Sequence, residues 1–299
     1  MSFSSRVKDE LAQARTLTPC CQKAQSYGLL LLGRDFSVSS VKITTEHAQT
    51  AALYKQALAG IPLPENSIST VQKTNYTVSV VNEPARRAVL EYFGHSETDI
   101  SLRLNRANLV NDCCFRSFLR GAFLSSANMS EPEKSYHLEF SVSRAKLAGD
   151  IAALLSEMDL NPKIIVRDGK HIVYFKDSAG IEDLLTAAGA QDAALELMRI
   201  KIVKDFINKS KRRQNCDTAN IDKSVNAAVK QVAAVKKLMH SNRLDALPPQ
   251  LLETAHIRVD NPYSTLEEMI RLHPAPITRS GLSHRLKRIV EIASEDGET

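Results

Sequence analysis

The sequence predicts an α+β chain: a duplicated helix-and-strand region over residues 1–190, followed by an all-α C-terminal third. Three observations carry that expectation. Cys20-Cys21, followed seven residues later by Gly28, returns at an offset of 93 residues as Cys113-Cys114 followed by Gly121. Short runs rich in β-branched residues occur in both halves and stop after Gly189. The segment from Ser264 onward reads as two short helices broken by a turn that carries Pro274 and Pro276.

Taken in order, the first repeat spans about residues 19–110. Its strands are expected at Ser37–Ile43, Ile68–Lys73 and Tyr76–Val81. The second repeat spans about 112–190, with strands expected at Tyr136–Val142, Lys163–Arg167 and His171–Phe175. Asp168-Gly169 between the last two is a strong two-residue hairpin turn. Each half therefore reads as an apolar helix, a strand, a helix, two strands and a helix. Duplicated halves pack about a pseudo-twofold axis, and the helices bearing Gly28 and Gly121 are the natural contact because glycine permits close backbone approach.

After Gly189 the pattern becomes helical. Ile202, Val203, Phe206 and Ile207 mark one face of a helix running into Lys209, Lys211, Arg212 and Arg213. A second helix is expected from about Asp217, with Val225, Val229, Val232 and Met239 inward. Leu247-Pro248-Pro249 then punctuates the chain. The domains expected are residues 1–190, a basic helical connector over 191–246 and a terminal unit over 247–299.

The composition narrows the function classes. Of 299 residues, 43% are hydrophobic and 24% charged, as in a globular soluble protein. Trp is absent and aromatics are 5%, so base-stacking platforms for single strands are poorly supplied. No apolar run approaches the ~20 residues needed to span a bilayer, and the polar start MSFSSRVKDELAQ is no secretory signal. The five cysteines show no C-x-x-C spacing, and sequence neighbours rarely pair, so a reduced cytoplasmic protein without metal or cofactor is expected.

Charge is unevenly placed. Residues 1–200 carry 22 basic and 22 acidic side chains, whereas residues 201–240 carry 10 and 3. From Arg271 to Arg288 there are five basic residues and no acid. Ser264 and Glu267 have capping-box spacing for the first terminal helix. Thr278 is a good N-cap for the second, whose apolar positions are Leu282, Leu286, Ile289 and Ala293. Arg279, Ser280, Ser283, His284, Lys287 and Arg288 fall on the opposite face. A short helix, a turn and a basic helix with small polar residues near its start is what major-groove recognition requires. A helical hairpin with an ordinary charged face, beside a lysine-rich solvated helix, fits the same pattern.

The repeat and the terminal unit together resemble the WhiA family of bacterial regulators over essentially the whole chain. The stretches that carry the resemblance are LRGAFLSSANMSEPEKSYHLEF, NKSKRRQNCDTANIDKSVNAAVKQV and ITRSGLSHRLKRI. The resemblance implies a degenerate double LAGLIDADG homing-endonuclease-like domain joined to a C-terminal helix-turn-helix. It also implies a DNA-binding transcriptional regulator tied to sporulation or to cell division and chromosome segregation.

That resemblance raises a nuclease reading which the residues test. A LAGLIDADG nuclease needs an acid five residues after the glycine of each repeat, so that two carboxylates hold divalent metal beside the scissile phosphates. Those positions are Gly33 and Ser126 here. Asp35 comes two residues late, and the second half offers no acid until Glu131. The chain is therefore expected not to be an enzyme. His137, His171 and His284 lie in different elements, Ser125-Ser126 lacks the glycine frame of a nucleophile elbow, and no glycine-rich phosphate loop occurs.

The leading reading is a nuclease-inactive, nucleoid-associated regulator that binds double-stranded DNA. Arg279, Ser280, Ser283 and His284 would reach base edges, and Lys209, Lys211, Arg212, Arg213, Arg285, Lys287 and Arg288 would hold phosphates. The alternative is a scaffold for the division or transcription machinery that uses DNA contact for localisation.

Overall fold

Alternating apolar residues in the first two-thirds build two small sheets, and helical periodicity takes over in the last third. The structure is a computed structural model describing residues 1–14, 18–97 and 101–295. It divides into two compact units, Met1–Lys204 and Asp205–Thr299.

The first repeat contributes α2 (Pro19–Leu31), β1 (Asp35–Phe36), β2 (Val41–Thr45), α3 (Ala48–Ala59), β3 (Ile68–Gln72), β4 (Tyr76–Val80) and α4 (Glu83–Tyr92), preceded by α1 (Phe3–Gln13). The second contributes α5 (Asp112–Ser126), β5 (Ala127–Met129), β6 (Leu138–Val142), α6 (Ala145–Glu157), β7 (Lys163–Arg167), β8 (Lys170–Phe175) and α7 (Ser178–Ala188). Both sheets are antiparallel with the same order, β1-β2-β4-β3 and β5-β6-β8-β7. Register pairs Ile43 with Val78 and Phe140 with Val173, which puts the apolar alternates of each sheet on its buried face. Asp168 (φ 51°) and Gly169 (φ 72°) make the tight turn between β7 and β8, both in the left-handed region such turns demand. The sequence reading omitted β1 and β5. At two and three residues they are too short to show alternation.

The two repeats meet along α2 and α5, helices buried on most of their surface. A Cβ on Gly28 would stand 2.2 Å from the Phe118 carbonyl oxygen, and one on Gly121 would stand 2.1 Å from that of Gln25. The paired glycines thus let the two backbones touch, as the repeat implied. Tyr27 fills the junction: its hydroxyl accepts the Asn105 N–H at 2.8 Å and bonds His95 Nε2 at 2.9 Å. The segment between repeats is tied to α6, where Arg103 grips Asp150 through two bonds of 2.7 and 2.6 Å.

The remaining helices are α8 (Gln191–His240), α9 (Pro249–Asp260), α10 (Leu266–Leu272) and α11 (Arg279–Ser294). The first fourteen residues of α8 belong to the N-terminal unit, where Ala193, Ala194 and Leu197 are buried. The rest belongs to the C-terminal unit. α8 corrects the sequence reading in two ways. No break occurs near Asp217, because no glycine or proline lies between Gly189 and Pro248 to end the helix. Val225, Val229 and Met239 are exposed rather than inward; Ala234, Val235 and Leu238 make the contact instead, packing with Leu244, Leu247, Ala255, Ile289 and Ala293.

Candidate nucleic-acid interface

α11 starts where the sequence places it. Thr278 Oγ1 accepts the Gly281 N–H at 3.1 Å, a side-chain cap in the open first turn. Leu282, Leu286, Ile289 and Ala293 are buried, the first two against Met269 of α10. That packing turns Arg279, Ser280, Ser283, His284, Lys287 and Arg288 to solvent on one exposed face. The cap of α10 differs by one residue from the Ser264/Glu267 expectation. Thr265 Oγ1 accepts from Glu268 N–H at 3.3 Å while the Glu268 carboxylate accepts from Thr265 N–H at 2.8 Å. Two hydroxyls and two glutamates stand side by side, and the register that buries Met269 selects the second pair.

Two buried polar residues hold this unit together, and sequence reasoning missed both. Arg258, 2% exposed, donates to the Ser264 carbonyl at 2.8 Å and so fixes the turn between α9 and α10; burial lowers its pKa. Its signal was present in the periodicity of Leu251, Ala255 and Arg258 along α9. His273 follows α10 with Nε2 3.4 Å from Thr254 Oγ1 and Nδ1 3.7 Å from Glu253. Burial lowers the His273 pKa, the Glu253 carboxylate on α9 opposes that, and Arg285 on α11 adds to it.

The acid-free block is not acid-free in space. Arg279 lies 3.6 Å from Glu267, Lys287 3.8 Å from Glu291, and Arg288 3.2 Å from Glu291 and 3.5 Å from Glu295. Helical spacing and the neighbouring helix bring these acids in. All the pairs are solvent-exposed, so each contributes little and yields readily to a phosphate. Arg285 differs from the others: half-buried, it donates to Gln250 Oε1 at 3.2 Å and braces α11 on α9. On α8, Lys209, Arg212 and Arg213 share one side by their three- and four-residue spacing, whereas Lys211 is turned about 200° from Lys209. All four are exposed.

In the N-terminal unit, the C-terminal ends of α2 and α5 open on a cleft of about 460 Å³ lined by Gly33, Asp35, Ser125, Ser126, Ser141 and Lys170 among others. The two positions where paired nuclease acids would stand therefore do face one cleft, but as a glycine and a serine. Ser126 Oγ donates to the Ala122 carbonyl at 2.9 Å. Asp35 lies beyond the helix on β1, paired with Lys42 Nζ at 3.0 Å. Glu131 is elsewhere, its carboxylate accepting the Phe3 N–H at 2.8 Å to cap α1.

Among the described residues, the group with the reach to hold a metal ion is Cys20, Cys21, Cys113 and Cys114, at the other end of the same helix pair. A hydrogen bond from Thr18, helped by Ser117 and the neighbouring thiols, holds Cys21 down at about 7 against its burial. Cys113, whose proton serves Cys21, is pushed up to about 12. Among the described residues, no helix is long and apolar enough to cross a membrane.

Comparison with known proteins agrees with this architecture. Residues 115–207 match the model of the WhiA LAGLIDADG-like domain, and residues 210–293 match that of the WhiA C-terminal HTH domain. A protein of Ruminiclostridium cellulolyticum described as "Probable cell division protein WhiA" is 36% identical over 305 residues, covering 98% of this chain and 97% of its own. One of Alkaliphilus metalliredigens with the same description is 32% identical, covering 99% and 98%. The crystal structure of full-length WhiA from Thermatoga maritima aligns over all of both chains with a TM-score of 0.57 at 23% identity, a likeness of fold.

Proposed function

Since the chain belongs to the WhiA family, we propose that it is a sequence-directed, nuclease-inactive regulator of transcription that binds double-stranded DNA through α11 and acts in cell division, chromosome segregation or sporulation. The observation that carries this reading is the exposed face of α11. An apolar stripe anchors the helix, and small polar residues occupy its first turns, where a recognition helix meets base edges. Arg279, Ser280, Ser283 and His284 read bases, Lys287 and Arg288 hold phosphates, and Lys209, Lys211, Arg212 and Arg213 extend the electrostatic footprint. Arg285 serves the fold first. The cleft at Gly33 and Ser126 supports loss of nuclease chemistry, since neither residue brings a carboxylate to a shared cation. The cell-division role rests on how the curated relatives are described.

The scaffold reading is favoured by one feature, the edge strand β7, whose Ile164, Ile165 and Val166 are 45%, 42% and 66% exposed. An apolar edge of that kind suits a protein partner from the division or transcription machinery. Titrating the full chain against genomic duplex at several salt concentrations tests the leading reading. Log K against log salt falls by about 0.9 for each phosphate contact, so several contacts give a steep line, made shallower by Lys287→Ala with Arg288→Ala. Association insensitive to salt, or unaffected by that double change, refutes DNA binding through α11 and leaves the scaffold.

A further inference from the structure

The duplication does more than build two sheets. Because α2 and α5 start in register and run side by side, equivalent residues near their N-termini meet at one end. Those residues are cysteines in both repeats: Cys20 and Cys21 on α2, Cys113 and Cys114 on α5. Their four Sγ atoms all lie within 4.8 Å of one another. Sulfurs bound tetrahedrally to one zinc at 2.3 Å stand about 3.8 Å apart, so a small inward rotation of side chains completes the set. Four thiols mutually this close form a single knot rather than two separate pairs, and a four-iron cluster, with its cube of iron and sulfide, needs its ligands further apart.

The surroundings suit an anionic tetrathiolate. The knot sits at the first turns of both helices, the positive ends of their dipoles, and neither N-cap, Thr18 or Asn111, uses its side chain on a backbone N–H there. Thr18 Oγ1 lies 3.5 Å from Cys20 Sγ, and Ser117, one turn into α5, stands beside Cys21 while its hydroxyl donates to the Cys113 carbonyl at 2.9 Å. Two helix N-termini facing one spot, with hydroxyls beside the sulfurs, offset the charge of four thiolates on one divalent ion. Cys113 is exposed and Cys20 partly so, which gives an ion a way in, while Cys21 and Cys114 are buried and hold the geometry.

We infer that Cys20, Cys21, Cys113 and Cys114 form a structural zinc site that clamps the two repeats at the end of the α2–α5 pair opposite the cleft. Tetrahedral all-sulfur coordination selects zinc among the divalent ions, and four protein ligands leave no open position for catalysis. Metal binding joins segments 93 residues apart in the chain and so locks the register of the duplication.

The test uses the reduced full chain, stripped with chelator and titrated with Co²⁺ as a visible stand-in and then with Zn²⁺. The expected result is one ion per chain, with the intense red-region bands and near-ultraviolet charge transfer of tetrahedral cobalt thiolate, bleached by one equivalent of Zn²⁺. Cys113→Ser, an exposed change, should weaken Zn²⁺ binding at least tenfold. Cys20→Ser with Cys113→Ser should abolish the spectrum while circular dichroism stays that of the folded chain. Cys216→Ser, a change outside the four-cysteine group, should change neither. Substoichiometric binding, cobalt spectra without thiolate charge transfer, equal affinity in Cys113→Ser, or two disulfides forming across the helices in the presence of Zn²⁺ would each overturn the site.

Discussion

Gly121→Ala tests the contact on which the N-terminal unit depends. The new methyl carbon would stand 2.1 Å from the Gln25 carbonyl oxygen and 2.8 Å from the Leu29 nitrogen. Both are backbone atoms of the facing helix, so no flexible side chain can swing clear. Ordinary contact at about 3.4 Å requires α2 and α5 to part by roughly 1 Å. A gap of that size forfeits up to half of each 0.1–0.2 kcal/mol contact, which over some tens of atom pairs along the seam comes to about 2–4 kcal/mol. Alanine returns about 1 kcal/mol through its helix propensity, leaving a net loss of about 1–3 kcal/mol, in the range seen for overpacked cores. Gly149→Ala on α6 is the control: nothing lies within 4 Å of its Cβ, so only the propensity gain of about 0.5–1 kcal/mol remains. Urea unfolding of the full chain followed by far-ultraviolet circular dichroism reads both changes. Gly121→Ala as stable as the parent, with Gly149→Ala unchanged or better, would refute the close-packed seam.

The recognition face makes a second prediction: Arg279→Ala or Ser283→Ala relaxes sequence preference, a lost bidentate base contact costing about 1–3 kcal/mol, whereas Lys211→Ala weakens all sites alike. Site-selection profiles that shift with Lys211→Ala alone would reverse the assignment. Stability of the C-terminal unit should fall as pH drops below the ordinary histidine value of 6.5. Burial holds His273 neutral in the fold, the unfolded chain takes up its proton first, and the stability present above that pH is lost on acidification until the folded group also protonates. His273→Gln should flatten this dependence, and a profile unchanged by that substitution would show that another group is responsible. Asp150 works at lower pH: burial raises its pKa, but Arg103 and the Leu104 N–H outweigh this and hold it below the usual carboxylate range. The stability it contributes is present above the unfolded value and declines as pH falls through the folded one, so Asp150→Asn should blunt acid unfolding of the N-terminal unit; an unaltered acid limb counts against the pair. Plasmid incubated with the protein and Mg²⁺ or Mn²⁺ should stay intact, and metal-dependent nicking abolished by Asp35→Asn would restore an enzyme reading.

Local chemistry determined much of this protein from sequence alone. Apolar alternation marked the principal strands, Asp168-Gly169 marked their turn, and Thr278 with Leu282, Leu286 and Ile289 marked the last helix and its buried face. These features are legible because they depend on neighbours one to four residues away, where backbone geometry dictates which side chains share a face. Contacts between distant segments were not legible. The placing of Glu267 beside Arg279, the engagement of Arg285 by Gln250, and the burial of Arg258 and His273 arise only when α9, α10 and α11 pack. The cysteines show the limit most plainly: read along the chain they lack metal-ligand spacing, yet two closely packed helices bring all four to one point. Ligand geometry is a property of distance in space, and over 93 residues only the folded backbone sets it.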